Sequence, residues 1–212
     1  MKVQEHYIHH MEHIKQLFPD QTVIQQRRVN MNDCVIKNPN KESKMKPNSG
    51  RLKLKGMFHV EHFRKGKLIG TYDFKNAVVD DGLDKILDVM FHDVTKIATW
   101  YIGIVNNAGF TGYAAGDNMG GHGGWTEWTS YDEANRVTWT EGAASGQSIT
   151  NATPVDFTMS ASGTVRGLFL TSNNTKSGTT GTLWATADFA STVTVADDDV
   201  LKVTYTINAA AA

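Results

Sequence analysis

Four histidines, His6, His9, His10 and His13, open this 212-residue chain with the first side chains able to do chemistry. On a helix, His6/His10 and His9/His13 form i, i+4 pairs, each able to offer two imidazole ligands to a metal, yet neither carries the Glu placement of a zinc-hydrolase motif. A polar helix face or an intersubunit contact accounts for them better, so no metal ligand is assigned. A second group, His122, Glu127, Asp132 and Glu133, invites comparison with a glycosidase. Such an enzyme sets two carboxyls about 5 to 9 Å apart across a cleft and raises one pKa. Nearness in sequence supplies neither condition, and acids in a turn between strands are expected to be solvated. The loop from Gly116 to Gly124 lacks the Gly-Lys-Ser/Thr ending of a phosphate-binding loop and no helical pattern follows it. Its glycines are expected to permit positive φ and close packing beneath Trp125 and Trp128. No Gly-x-Ser-x-Gly elbow and no supported Cys/His pairing is present. The expectation is therefore no catalytic residue, no cofactor and no enzyme.

The aromatic residues Trp100, Trp125, Trp128, Trp139 and Trp184, with Tyr101, Tyr113 and Tyr131, could stack sugars. Each buries about 150 to 250 Å², so core or subunit interface is the stronger reading, with Arg136 stacked on or hydrogen-bonded within the group.

The elements that must position these residues follow from periodicity. Tyr7, Ile8, Met11, Ile14, Leu17 and Phe18 recur at helical spacing over residues 3 to 18, and Pro19 ends that segment. One apolar stripe on a short helix needs a partner, from this chain or another subunit. Residues 25 to 50 are polar and Asn-rich and read as an extended arm. Residues 51 to 63 alternate as a strand, Lys65-Gly66 offers a turn, and Leu68 to Phe74 returns as the second strand of a hairpin. Leu83, Ile86, Leu87 and Met90 then fall at i, i+3, i+4 and i+7, predicting an amphipathic helix with Asp81 as N-cap. Beyond it, short β-rich runs near 98 to 105, 136 to 140, 154 to 159, 164 to 171, 182 to 188 and 200 to 207 predict a jelly-roll-like β-sandwich. Ala209 to Ala212 reads as a frayed end. The expected divisions are 1–50, helix and basic arm; 51–95, hairpin plus helix; and 96–212, sandwich. The class is mainly β.

Charge is unevenly placed. Up to residue 70 there are 14 basic against 6 acidic residues, a net of +8; the remaining 142 carry 7 against 16, a net of -9. Such asymmetry suits an arm lying on an acidic neighbour. Its bases have no interleaved aromatics, which disfavours nucleic acid as the partner. Cys34 is the only cysteine, so no internal disulfide is expected and assembly in a reducing cytoplasm fits. No signal-peptide core and no membrane span is read from the apolar runs, and a soluble protein is expected.

One block carries a resemblance. Trp100-Tyr101-Ile102-Gly103-Ile104-Val105 is followed by the Gly-rich loop, Gly124-Trp125-Thr126-Glu127, Tyr131 and Arg136-Val137-Thr138-Trp139. This pattern, continuing through Gly167 to Ser172 and Asp197 to Thr204, resembles a family of small structural proteins of tailed bacteriophages over roughly residues 70 to 210. The resemblance implies a virion component assembled in the bacterial cytoplasm. The expected role is a capsid decoration or cement protein bound to the major capsid protein or other virion proteins through its arm, residues 20 to 67. The other role considered is a tail, collar or head-fibre component that binds host glycan. A homo-oligomer, with a trimer favoured, is expected. Residues expected at interfaces are Tyr7, Ile8, Met11 and Ile14 on the first helix, Arg27, Arg28, Lys53 and Lys55 in the basic stretch, and Trp125, Trp128, Tyr131 and Arg136 in the aromatic block.

Overall fold

A computed structural model describes residues 52–211. The expected N-terminal helix, the arm up to residue 50, the His cluster and Cys34 lie outside the described residues, as do Tyr7, Ile8, Met11, Ile14, Arg27 and Arg28. The described chain begins with β1 (Leu52–Arg64) and β2 (Lys67–Val78), joined through Lys65 and Gly66. Both linking residues have positive φ, 51° and 73°. That is the backbone of a tight two-residue hairpin turn whose twist matches its strands, and glycine at the second position adopts it without a Cβ clash.

Helix α1 (Asp80–Phe91) follows, then β3 (Trp100–Asn106), β4 (Glu127–Trp128), β5 (Val137–Trp139), β6 (Ser148–Thr150), β7 (Val155–Thr158), β8 (Gly163–Thr171), β9 (Leu183–Val195) and β10 (Val200–Ala211). The mainly β, sandwich-like class expected from the sequence is the one observed. All ladders are antiparallel, and the main strand order is β4-β3-β8-β9-β2-β1-β10-β6, with β5 beside β3 and β7 beside β10. Strand β2 links the two halves of this sheet. Its Met57-facing to Arg64-facing length pairs with β1, whereas Asn76, Ala77 and Val78 pair with Ala187, Thr186 and Ala185 of β9. The inward residues of each half alternate along their strands, as a pleated face requires. Phe58, Val60, Leu201, Val203 and Tyr205 from one layer meet Ile102, Ile104, Leu168, Leu170, Ala185 and Ala187 from the other in one buried cluster.

Several expectations are corrected by this pairing. Residues 52 to 67 are not part of an arm, because β1 is an interior strand hydrogen-bonded to β2 on one side and β10 on the other. For the same reason residues 51–95 do not form a region separate from the sandwich. Ala209 to Ala211 are not frayed, since they pair with Leu54, Lys53 and Leu52. Asp81 is not the N-cap. The cap position is Val79, with no side-chain cap bond, and the Asp81 carboxylate instead accepts the Leu183 backbone N–H at 2.7 Å. None of the glycines from Gly116 to Gly124 has positive φ; the positive angles fall on Gly109 and Gly112 just before them.

Gly82 is the buried residue of α1, and a Cβ there would lie 2.5 Å from the Trp184 carbonyl oxygen. The absence of a side chain is what lets the helix approach β9. In a free helix Gly→Ala stabilises by about 1 kcal/mol, but here the clash with backbone reverses the sign. Gly82→Ala is expected to destabilise by about 1 to 3 kcal/mol in urea denaturation; a stabilised variant would mean that α1 does not dock on β9 as described.

Candidate functional site

Among the described residues, the largest uncovered apolar surface lies where β1 begins and β10 ends. Leu52 and Leu54 continue the inward face of β1 that Phe58 and Val60 occupy farther along, but beyond the reach of the opposing layer. Leu54 is half-buried and Leu52 is 65% exposed. Against them lies α1. Its Ile86 packs on the core, while Leu83, Leu87, Met90 and Phe91 stay exposed, Phe91 to 81%. A groove of about 420 Å³ runs between, lined by Leu52, Leu54, Asn76, Val78, Leu83, Ile86 and Leu87. It shares Ile86 with a second depression of about 250 Å³, which shares Trp100 and Trp184 with a third of about 200 Å³ lined by Trp139, Ile149 and Ile207. Together they form an apolar collar around one end of the sandwich. The five exposed side chains Leu52, Leu83, Leu87, Met90 and Phe91 present on the order of 600 Å², the upper end of what a monomeric protein leaves as one patch.

The floor of this collar is stiff. Tyr205 is fully buried, stacks on Phe58 at 4.0 Å between ring centres, and its hydroxyl accepts the Asn76 amide N–H at 2.8 Å and the Trp184 indole N–H at 3.0 Å. Burial pushes its phenol pKa well above the usual value, so the ring stays neutral. Trp139 donates its indole N–H to the Tyr205 carbonyl at 3.2 Å, tying β5 to β10.

Of the two readings the sequence offers for the aromatic block, core or subunit interface, Trp125, Tyr131 and Trp139 follow the first, and Arg136 hydrogen-bonds within the block as expected. Arg136 donates through Nε and Nη2 to the two oxygens of Glu127, both at 2.9 Å, and through Nη1 to the Asn173 carbonyl at 2.9 Å. Glu127 also accepts the Ser177 backbone N–H at 2.6 Å. The two side chains are 1% and 4% exposed, so this is a buried bidentate ion pair that fastens the loops before β5 and β9 to each other. Glu127 is thus not the solvated turn acid expected, since it is buried and accepts three hydrogen bonds. Glu133 accepts the Thr158 backbone N–H at 3.1 Å.

Trp125 donates its indole N–H to Asp117 at 2.9 Å and stacks on His122 at 3.8 Å. Tyr131 packs edge-on against Phe157, and the Lys176 ammonium sits 3.6 Å from its ring centre. Trp125, Tyr131 and Arg136 are each no more than 3% exposed, which leaves them almost no surface for a partner. Their expected interface role is corrected to internal packing; Trp128 is half-buried, with its indole N–H donated to the Ser130 carbonyl. Lys53 and Lys55 are exposed on the outer face of β1, next to the collar but on the opposite side of the pleat from Leu52 and Leu54.

At the other end of the β1/β10 ribbon lies a cluster that no local motif announces. Asp199 is fully buried and accepts from His62 Nε2 at 2.7 Å, Arg64 Nε and Nη2 at 2.8 and 2.7 Å, and the Ala196 backbone N–H at 2.8 Å. The Arg64 guanidinium, with the Ala196 N–H and His62 behind it, holds the Asp199 carboxyl well below the usual carboxylate range.

The collar went unread in the sequence, because a 3.6-residue period reports an apolar stripe without saying what covers it. The one available signal was Phe91, which extends the row Leu83, Leu87 by another four residues, past the stripe a single packed face needs. No protein-family model matches this chain, and no curated protein matches it significantly.

Proposed function

We propose that this protein is a non-enzymatic structural component of a tailed-phage virion, a capsid decoration or cement protein whose N-terminal arm binds the major capsid lattice. The observation that carries the reading is the apolar collar. Trp125, Tyr131 and Arg136 of the recognisable block are consumed in internal packing, while among the described residues a large apolar surface stays open beside Leu52, where the basic N-terminal stretch joins the described chain. Burying about 600 Å² of apolar surface at ~25 cal/mol per Å² contributes on the order of 15 kcal/mol, enough to offset the roughly 4 to 15 kcal/mol that association costs. A cement protein works by such added area across seams between capsid subunits. Residues 1–50 carry 8 basic against 5 acidic residues, a net of +3, which supports attachment to an acidic neighbour.

Removing residues 1–50 tests the arm. The truncated protein is expected to lose attachment to particles while its tryptophan near-ultraviolet circular dichroism stays that of the intact chain. Full occupancy of particles by the truncated protein would overturn the assignment of attachment to the arm.

A second reading, a tail, collar or head-fibre component that binds host glycan, is favoured by one feature. A depression of about 210 Å³ beside Trp125 and His122 carries the Ser177 and Thr179 side of the neighbouring loop. Copy number separates the two, since cement occurs in hundreds of copies per head and a tail component in few.

A further inference from the structure

We infer that α1 pairs antiparallel with α1 of a second copy of this chain, across a two-fold axis passing near Leu87. The inference deepens the reading of a self-associating structural protein, and it holds whether the particle location is head or tail. Leu83, Leu87 and Phe91 stand four residues apart on one exposed row of the helix. A two-fold contact must be self-complementary, with each residue meeting the partner position its own partner meets. This row satisfies that condition. With Leu87 at the axis, Phe91 of each copy lies against Leu83 of the other, and the protruding ring enters the groove between α1 and Leu52 and Leu54. Knob and groove sit at opposite ends of the same helix, which is the arrangement an antiparallel pair uses twice. Rows spaced by four residues interlock at a crossing angle of about -50°, the commonest helix packing.

The helix dipoles favour the same orientation, because an antiparallel pair sets the N-terminal end of each α1 against the C-terminal end of the other. Side-chain charge does not choose between orientations, since the last turn of α1 holds no basic residue and Asp88, paired with His92 at 3.3 Å, and exposed Asp93 lie there beside Lys96. The exposed apolar area, on the order of 600 Å² per copy, approaches the ~800 Å² per partner of a standard interface before the polar rim is added.

The test uses the full-length chain at about 20 μM in sedimentation equilibrium, a concentration that reveals dimers of micromolar affinity or tighter. The wild type is expected to be a dimer. Phe91→Asp is expected to weaken it at least about thirtyfold, to a monomer, as loss of an interface anchor does. Because Phe91 is solvent-exposed, near-ultraviolet circular dichroism should be unchanged. In a Cys34→Ser background, Leu87→Cys is expected to oxidise to a disulfide-linked dimer, whereas Ile69→Cys, equally exposed on β2, is not. A monomeric wild type, a trimer insensitive to Phe91→Asp, or a dimer in which Leu87→Cys fails to cross-link would overturn the pairing. A dimer with this behaviour that never enters particles would leave the pairing standing and overturn the virion reading instead.

Discussion

Arg136→Met should lower the unfolding free energy by about 3 to 5 kcal/mol, because it strands the Glu127 carboxylate inside the fold with no cation beside it. Arg136 also supplies N–H groups to the Asn173 and Gly178 carbonyls, so the same change unties the loop between β8 and β9 from the start of β5. The two members are a coupled pair. Arg136→Met combined with Glu127→Leu is therefore expected to cost less than the sum of the single changes. It will not return to wild type, since the Ser177 N–H loses its acceptor. Guanidinium denaturation of the four proteins gives the coupling directly. A single Arg136 variant within 1 kcal/mol of wild type would show that the block is not held together as described.

Asp199→Asn is the second large effect, with an expected loss of about 3 kcal/mol at pH 7 and a pH signature of its own. The Arg64 guanidinium, the Ala196 N–H and His62 hold the folded carboxyl below its unfolded value of about 3.9. The unfolded chain then takes up the proton first as the medium is acidified. Stability supplied by Asp199 is consequently complete above about pH 4 and is lost as pH falls further through the depressed folded value. Asn cannot titrate. The gap between wild type and Asp199→Asn, read from urea midpoints, is expected to hold steady from pH 7 to 5 and to narrow below pH 4. Parallel stability profiles down to pH 2 would contradict a charged, buried Asp199.

What the sequence disclosed and what it withheld divide along the range of the interactions. The turn at Lys65-Gly66 was legible because two residues and their φ angles define it. Helix α1 was legible because Leu83, Ile86, Leu87 and Met90 keep the helical period. Its cap was not. A carboxylate one residue from a helix start usually serves its own backbone, but Asp81 meets the N–H of Leu183, 102 residues away. The run Ala209 to Ala211 has no side-chain signature of a strand and is one only because Leu52 to Leu54 pair with it. The block from Trp100 to Trp139 reads as core or interface, and the structure makes it core at Trp125, Tyr131, Arg136 and Trp139, which corrects only the interface role expected of Trp125, Tyr131 and Arg136. Glu127 and Arg136 are nine residues apart, and their burial depends on loop residues 173 to 178 folding over them. His62 and Asp199, 137 residues apart, come together only once the β1/β10 register is fixed. The collar was hidden for a related reason. Leu52, Leu54 and the outer row of α1 look like core in one dimension, and only the extent of the opposing layer shows that the described residues leave them uncovered.

The most direct measurement is a cryo-electron microscopy reconstruction of the intact phage particle. The predicted result is density for this sandwich repeated over the icosahedral lattice, with the N-terminal stretch between major capsid subunits. Copies confined to the tail would contradict the capsid assignment, and a particle without this chain would contradict a virion role altogether.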